Sequence, residues 1–266
     1  MEKDNATSTE QDAPEKVTRV IYQTGELKFF SDRLGHVYGT EDWSIFMYSL
    51  VKMHRPETIV ELGTGIGATA FWMAQACREN SFGHVTTIDN GSHWTDVIKG
   101  SDNLFLDDEK FDDIDKFMEY MLTKHGLKEF VSFVNTSMPP YPIPEKPIDL
   151  LFSDFKHDPN SIMDILAQYL PRMSPVNSIF FDAASTSFSS FSYLELLIPL
   201  LNKGVVPDML WQKIDIEQRE KVKALVVNSV FELKHMTKQN KPPQNSTAWI
   251  QIYPNDTRPY PKAAFH

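Results

Sequence analysis

The chain has 266 residues, 41% of them hydrophobic, enough for one large α/β domain with a short appendage. Its formal net charge of -10 disfavours a nucleic-acid backbone or an anionic lipid surface as main partner, because phosphate binding needs a basic face. The single cysteine, Cys77, excludes an intramolecular disulfide and a cysteine-based zinc site, and no apolar run nears the roughly 20 residues that span a bilayer.

Residues 1–16 are polar and charged, the composition of a disordered tail with no apolar signal core, which points to a soluble, cytoplasmic protein. Residues 17–56 form an N-terminal segment with aromatic residues at Phe29, Phe30 and Tyr38. Apolar residues at helical spacing follow from Glu41 to Val51, and Pro56 ends that helix. Residues 57–256 then alternate strand and helix. Thr58–Leu62 reads as a strand, Ala68–Arg78 as a helix and His84–Asp89 as a second strand. The acidic stretch Asp107–Leu122 reads as a surface helix, Phe130–Val134 as the third strand, and Ile148–Ser153 as the fourth. A helix over 160–170 and a fifth strand at Ser178–Phe181 complete the alternation. Strands alternating with helices pair in parallel through right-handed crossovers, with helices on both faces. Val230–Met236 and Ala248–Tyr253 instead alternate with period two around a polar loop, Thr237–Thr247. They read as an antiparallel hairpin closing the sheet edge, with a short tail at 257–266. The expected fold is a single Rossmann-like α/β domain with a mostly parallel seven-stranded sheet and a C-terminal antiparallel hairpin.

The strongest motif is Val60-Glu61-Leu62-Gly63-Thr64-Gly65-Ile66-Gly67-Ala68-Thr69, a glycine-rich turn between the first strand and the first helix. Glycines there let the backbone turn tightly and a ligand come close. Glu61, just before the turn, would repel a dinucleotide pyrophosphate and suits a cationic ligand carrying an ammonium and a sulfonium. The spacing is GxGxG, not the GxGxxG that seats a pyrophosphate. Asp89 closes the second strand, placed to accept both ribose hydroxyls, a feature shared with nicotinamide sites.

The E-L-G-T-G-I-G run, Asp89 and the terminal hairpin together resemble class I S-adenosylmethionine-dependent methyltransferases, from Trp43 to Tyr253. The resemblance implies that Gly63, Thr64, Gly65 and Gly67 wrap the methionine portion of S-adenosyl-L-methionine. It also implies that Glu61 serves the amino end, that Thr69 meets the carboxylate, and that Asp89 holds the ribose. Asn135, Thr136 and Ser137, after the third strand, fall where that family contacts adenine. His36, Tyr38 and Trp43 precede the first strand, where related enzymes fold a lid; core packing has an equal claim on Trp43.

Ligands of an open α/β sheet lie beyond the strand carboxyl ends, so Asp154-Phe155-Lys156-His157-Asp158 after the fourth strand should face the transferred methyl. Asp158 reads as the cap of the next helix. The pattern resembles the catechol and caffeoyl-CoA O-methyltransferase branch, in which an Asp after the fourth strand binds a divalent metal. A lysine three positions later acts there as base, and an Asp-Asn pair after the fifth strand completes the metal site. Here Asp154 is followed by His157 at the lysine's position, and Asp182 by Ala183 in place of the Asn. Asp154 and Asp182 can hold Mg²⁺ with waters, or His157 can act as general base without a metal; both readings stay open. Asp154 also counts among the cofactor-binding candidates.

Met138-Pro139-Pro140-Tyr141 resembles a motif of amino-group methyltransferases acting on nucleic-acid bases, but follows the third strand rather than the fourth and reads as a rigid loop. Ser185–Phe191 either shapes the acceptor pocket or caps a helix. The expected function is methyl transfer to a hydroxyl or amine of a small molecule, in specialised metabolism. The alternatives are a protein or RNA acceptor, a non-catalytic cofactor-binding protein, and a nicotinamide oxidoreductase. Oligomeric state stays open, homodimers being common in the resembling branch.

Overall fold

Every residue of the strand Thr58–Leu62 (β1) is buried, and β1 lies third of seven in the sheet. A strand covered on both faces needs an unbroken apolar run rather than an alternating one, which TIVEL supplies apart from Glu61. The structure, a computed structural model, describes residues 41–99, 111–237 and 246–257. The proposed tail at 1–16, the aromatic residues Phe29, Phe30 and Tyr38, His36, and the tail beyond 257 lie outside the described residues.

Helix α1 (Glu41–His54) precedes β1, which is followed by α2 (Ala68–Asn80), β2 (His84–Asp89), α3 (Trp94–Lys99), α4 (Ile114–Lys124) and β3 (Val131–Asn135). Next come β4 (Ile148–Ser153), α5 (Pro159–Tyr169), β5 (Met173–Asp182), α6 (Phe188–Asn202), α7 (Asp208–Lys213) and α8 (Arg219–Asn228). The hairpin β6 (Ser229–Thr237) and β7 (Ser246–Pro254) ends the chain of elements. The strand order is β3-β2-β1-β4-β5-β7-β6, parallel from β3 to β5, with β7 antiparallel to both β5 and β6. This is the expected seven-stranded sheet with its antiparallel edge.

Alternate strand residues feed two separate cores. Ile59, Leu150, Phe152 and Phe180 pack with α1, α2 and α4 on one face. Val60, Leu62, Leu151, Ile179 and Phe181 pack with α5, α6, α7 and α8 on the other. Period-two alternation sends neighbours to opposite faces, so both layers are apolar. Helix α1 buries Trp43, Met47, Leu50 and Val51, a one-face spacing. The Trp43 ring stacks on Phe46 at 5.1 Å and tilts against Phe152 at 5.5 Å.

Local chemistry sets the helix starts. Asp158 accepts hydrogen bonds from the backbone N–H groups of Asn160 and Ser161 and Pro159 opens α5, so Asp158 is the cap expected from sequence. The acidic surface helix starts at Ile114, not near 107: Asp113 caps it by accepting from Lys116 N–H at 2.8 Å, and residues 107–110 lie outside the described chain. Cys77 is fully buried, and burial pushes its thiol up to about 12, so it is an inert core residue. Among the described residues no helix is long and apolar enough to cross a membrane.

Candidate active site

The chain leaves β1 toward β2 on one side and has β4 on its other side, which makes the carboxyl ends of these strands the switch-point crevice. A cavity of about 610 Å³ opens there, within the range of small-molecule sites. From the β1–α2 turn it is lined by Glu61, Gly63, Thr64, Gly65, Ile66 and Thr69. Asp89 and the β2–α3 turn from Asn90 to Trp94 form a second wall. Asp154, Phe155, Lys156 and His157 after β4, Asp182 at the end of β5, Trp43, Ile114, Met138 and Phe152 close the rest.

The turn is tight because β1 and β4 run side by side. Gly63 has φ +90°, and a Cβ built on it would stand 2.6 Å from the backbone oxygen of Asp154. Asp154 N–H donates to Leu62 O at 2.8 Å, so the two turns are stitched where a side chain would separate them. Gly65 N–H donates to one carboxylate oxygen of Asp89 at 3.0 Å and Gly91 N–H to the other at 2.8 Å. Asp89 is therefore held rigidly, with each oxygen keeping one lone pair for a ligand hydroxyl. Gly67 ends the turn at φ +79° ahead of α2 and supports the wall without lining it.

Glu61 is 1% exposed and accepts from the Thr87 hydroxyl at 2.5 Å. Thr87 has a single proton, spent on Glu61, so the Thr64 hydroxyl donates in turn to Thr87 at 2.6 Å. Burial pushes the Glu61 carboxyl up to about 8; the Thr87 hydrogen bond pulls it back, and the charges of Asp154 and Asp89 add to the rise. The folded value lies above the unfolded one, so this group's stabilisation is complete below about 4.5 and is lost as pH rises through about 8. The unliganded protein is expected to lose stability across that window, measured as a falling urea midpoint. In Glu61→Gln this component of the pH dependence is expected to disappear. A cation seated beside Glu61 holds it ionised, so binding of a cationic ligand should release a proton near neutrality and tighten toward pH 8. Identical pH profiles for the two proteins would contradict this assignment.

Asp154 and His157 meet on the opposite wall, with His157 Nε2 3.8 Å from Asp154 Oδ1. His157 Nδ1 is shut off from solvent and has no hydrogen-bond partner. Nε2 is thus the ring nitrogen on the Asp154 side, and Nδ1 is the one closed off from the cavity. Four carboxyl groups line the cavity against one lysine, Lys156, a balance that favours a positively charged ligand.

Besides Gly67, Asn135 and Ser137 do not reach the cavity wall. Asn135 donates to Asp115 at 2.5 Å, and the Ser137 hydroxyl accepts from Asn90 at 3.3 Å; both are exposed. Ile114, Met138 and Trp94 line the region instead. The β2–α3 turn is a wall the sequence reading does not include, although the Asn90-Gly91-Ser92 turn residues directly after Asp89 are a signal for it.

A protein family described as a methyltransferase domain matches residues 60–184, from β1 through the turn after β5. The chain thus carries a methyltransferase domain. Cofactor-bound Rv0187 from MTB shares the fold with a TM-score of 0.51 at 13% identity, covering 92% of this chain and 100% of that one. A methyltransferase from Geobacter sulfurreducens gives 0.50 at 14% identity, covering 86% of this chain and 89% of that one. The O-methyltransferase TomG from Streptomyces achromogenes, solved with S-adenosylmethionine, gives 0.47 at 14% identity, with 92% of each chain covered. No curated protein matches the chain in sequence.

The methyltransferase's donor set does not fit the divalent metal of the resembling branch. Among the described residues no three His, Cys, Asp or Glu side chains are grouped as metal ligands. Asp182 is 3% exposed and accepts from Thr247 at 2.7 Å, and Ala183 offers a methyl where a third oxygen ligand would be needed. Turnover is expected to be unchanged by EDTA. Loss of turnover on chelation, restored by Mg²⁺, would overturn that expectation.

Proposed function

We propose that this methyltransferase moves a methyl group from S-adenosylmethionine to a hydroxyl of a small molecule, in the cytoplasm. The observation that carries the reading is that Asp154 and His157 line the same cavity as Glu61 and Asp89. In this proposal Glu61, Thr64, Gly65 and Thr69 hold the methionine end of the donor and Asp89 its ribose. Ile114, Met138 and Trp94 take the place beside adenine expected of Asn135 and Ser137. The donor supplies an electrophilic methyl on a sulfonium.

The chain's own residues supply position and a base. Attack requires an acceptor lone pair aligned behind the methyl carbon, so holding the acceptor is itself a large part of the rate. His157 accepts the acceptor's proton as the new bond forms, and the Asp154 carboxylate, 3.8 Å from Nε2, stabilises the imidazolium. A hydroxyl needs that base more than a neutral amine does, because a neutral hydroxyl oxygen is the weaker nucleophile and gains most from losing its proton as it attacks. This favours oxygen over nitrogen. Trp43, Phe152 and Phe155 give the acceptor's body an apolar wall. A protein or RNA acceptor fits less well with a net charge of -10.

The test is incubation with methyl-labelled S-adenosylmethionine and a panel of phenols, catechols, aliphatic alcohols and amines. The expected product is an O-methyl ether. Label found only in protein or RNA, or only in N-methyl products, would contradict the proposal.

A further inference from the structure

Outside the methyl-transfer cavity, side chains from three segments meet beside the turn between β5 and α6. The Ser185 hydroxyl lies 2.6 Å from His235 Nδ1 on β6, and His235 Nε2 lies 2.9 Å from Glu195 Oε1 on α6. None of the three lines the cavity. A carboxylate can only accept, so Nε2 carries the imidazole proton and Nδ1 is left to accept from the Ser185 hydroxyl. Nucleophile, base and orienting acid are thus joined in that order by two short hydrogen bonds.

The surroundings suit a reacting hydroxyl. Ser185 stands between the carboxyl end of a parallel strand and the start of a 15-residue helix whose N-terminal residue, Ser187, provides no side-chain cap. The first-turn N–H groups of α6 are therefore not spent on a capping side chain, and they carry the positive end of the helix dipole. The turn is fixed rather than loose: Ala183 N–H donates to Ser246 O at 2.8 Å, and the Thr186 and Ser246 hydroxyls are hydrogen-bonded. Phe191 packs on the His235 ring at 4.5 Å, and Phe188, one turn earlier on α6, is 84% exposed. An exposed phenylalanine beside a serine–histidine–glutamate chain offers an apolar platform for a substrate's body.

We propose that Ser185, His235 and Glu195 form a second reactive centre, a serine nucleophile that takes the acyl group of esters with an apolar acyl or aryl portion. Ser185 Oγ attacks the ester carbonyl carbon while its proton passes to His235 Nδ1, and Glu195 holds the resulting imidazolium through Nε2–H. The carbonyl π pair moves onto oxygen and returns as the ester C–O bond breaks. His235 gives its proton to the departing alkoxide, leaving an acyl-Ser185 and an alcohol. Water, deprotonated by His235, then releases the acid and restores the serine hydroxyl.

The test treats the full chain with an alkyl fluorophosphonate, which forms a Ser Oγ–P bond and expels fluoride only at an activated serine. Intact-mass analysis should show one adduct, mapped to the peptide holding Ser185, and Ser185→Ala should show none. His235→Asn should slow labelling about 100-fold or more, the scale of a lost general base, and Glu195→Gln should slow it less. Cooperative thermal melting of each variant separates loss of reactivity from loss of fold. Wild-type protein that stays unlabelled, an adduct elsewhere than Ser185, or a folded His235→Asn protein labelled at the wild-type rate would overturn the proposal. In each of those cases the three residues are a clasp that fixes the turn.

Discussion

His157→Ala is expected to lower the rate of methyl transfer by about 100- to 10,000-fold, the range supplied by a positioned general base. Three features coincide at this ring. His157 lines the cavity that also holds Glu61 and Asp89. Its Nε2 faces Asp154, and its Nδ1 is buried without a partner. A buried imidazole nitrogen left unsatisfied costs free energy in the resting protein, a cost tolerated at sites whose residues are held for chemistry. Asp154→Asn keeps the shape and removes the charge that stabilises the imidazolium, so its loss should be smaller but should appear in kcat. Binding of S-adenosylhomocysteine should stay within about threefold in His157→Ala, since a base removed from the acceptor side leaves donor contacts in place. A His157→Ala protein that turns over at the wild-type rate would place the base elsewhere.

Gly63→Ala is expected to act on both fold and cofactor. At φ +90° an alanine carries a left-handed-region penalty of about 1–2 kcal/mol before any contact is considered. The added carbon would also stand 2.6 Å from the Asp154 carbonyl oxygen and 3.2 Å from the Phe155 nitrogen. Those atoms are backbone and cannot rotate away, so the β1 and β4 turns must separate and break the Asp154 N–H to Leu62 O bond. A total loss of about 2–4 kcal/mol in urea unfolding is expected, in line with buried strain of this kind. Binding of S-adenosylhomocysteine should weaken by more than about tenfold, because a shift on the order of 1 Å at the turn misplaces Gly65 and Asp89. Stability and affinity unchanged from wild type would mean that the turn relaxes in a way the packing does not allow.

Much of the fold was legible because the central strands are buried on both faces and bounded by turn residues. Thr58–Leu62, His84–Asp89 and Ile148–Ser153 stand where their apolar runs predict. β5 runs five residues further upstream than Ser178, through Met173-Ser174-Pro175-Val176-Asn177, a mixed stretch interrupted by Pro175; the Asn177 side chain bonds back to Ser174 O. Helix α6 is not legible in the sequence because FSSFSYLELLIPLLN is apolar almost all round and contains Pro199, so no single face stands out. The site divides the same way. Glu61 and Asp89 could be placed because the strand–turn–helix rhythm carries them to the carboxyl ends of adjacent strands. Asn135 and Ser137 were also placed by position after a strand, but the direction a loop residue points depends on its partners, here Asp115 and Asn90. No sequence pattern announces the meeting of Ser185, Glu195 and His235, which are brought together only by the hairpin folding back onto β5.

The sulfonium donor is expected between the carboxylates of Glu61 and Asp89. Titration calorimetry with S-adenosylmethionine, in two buffers of different ionisation enthalpy at pH 7, tests it most directly. One-to-one binding is expected, with proton release that is lost in Glu61→Gln and affinity that falls in Asp89→Ala. Well-folded protein that shows no heat with the donor or with S-adenosylhomocysteine would contradict the account.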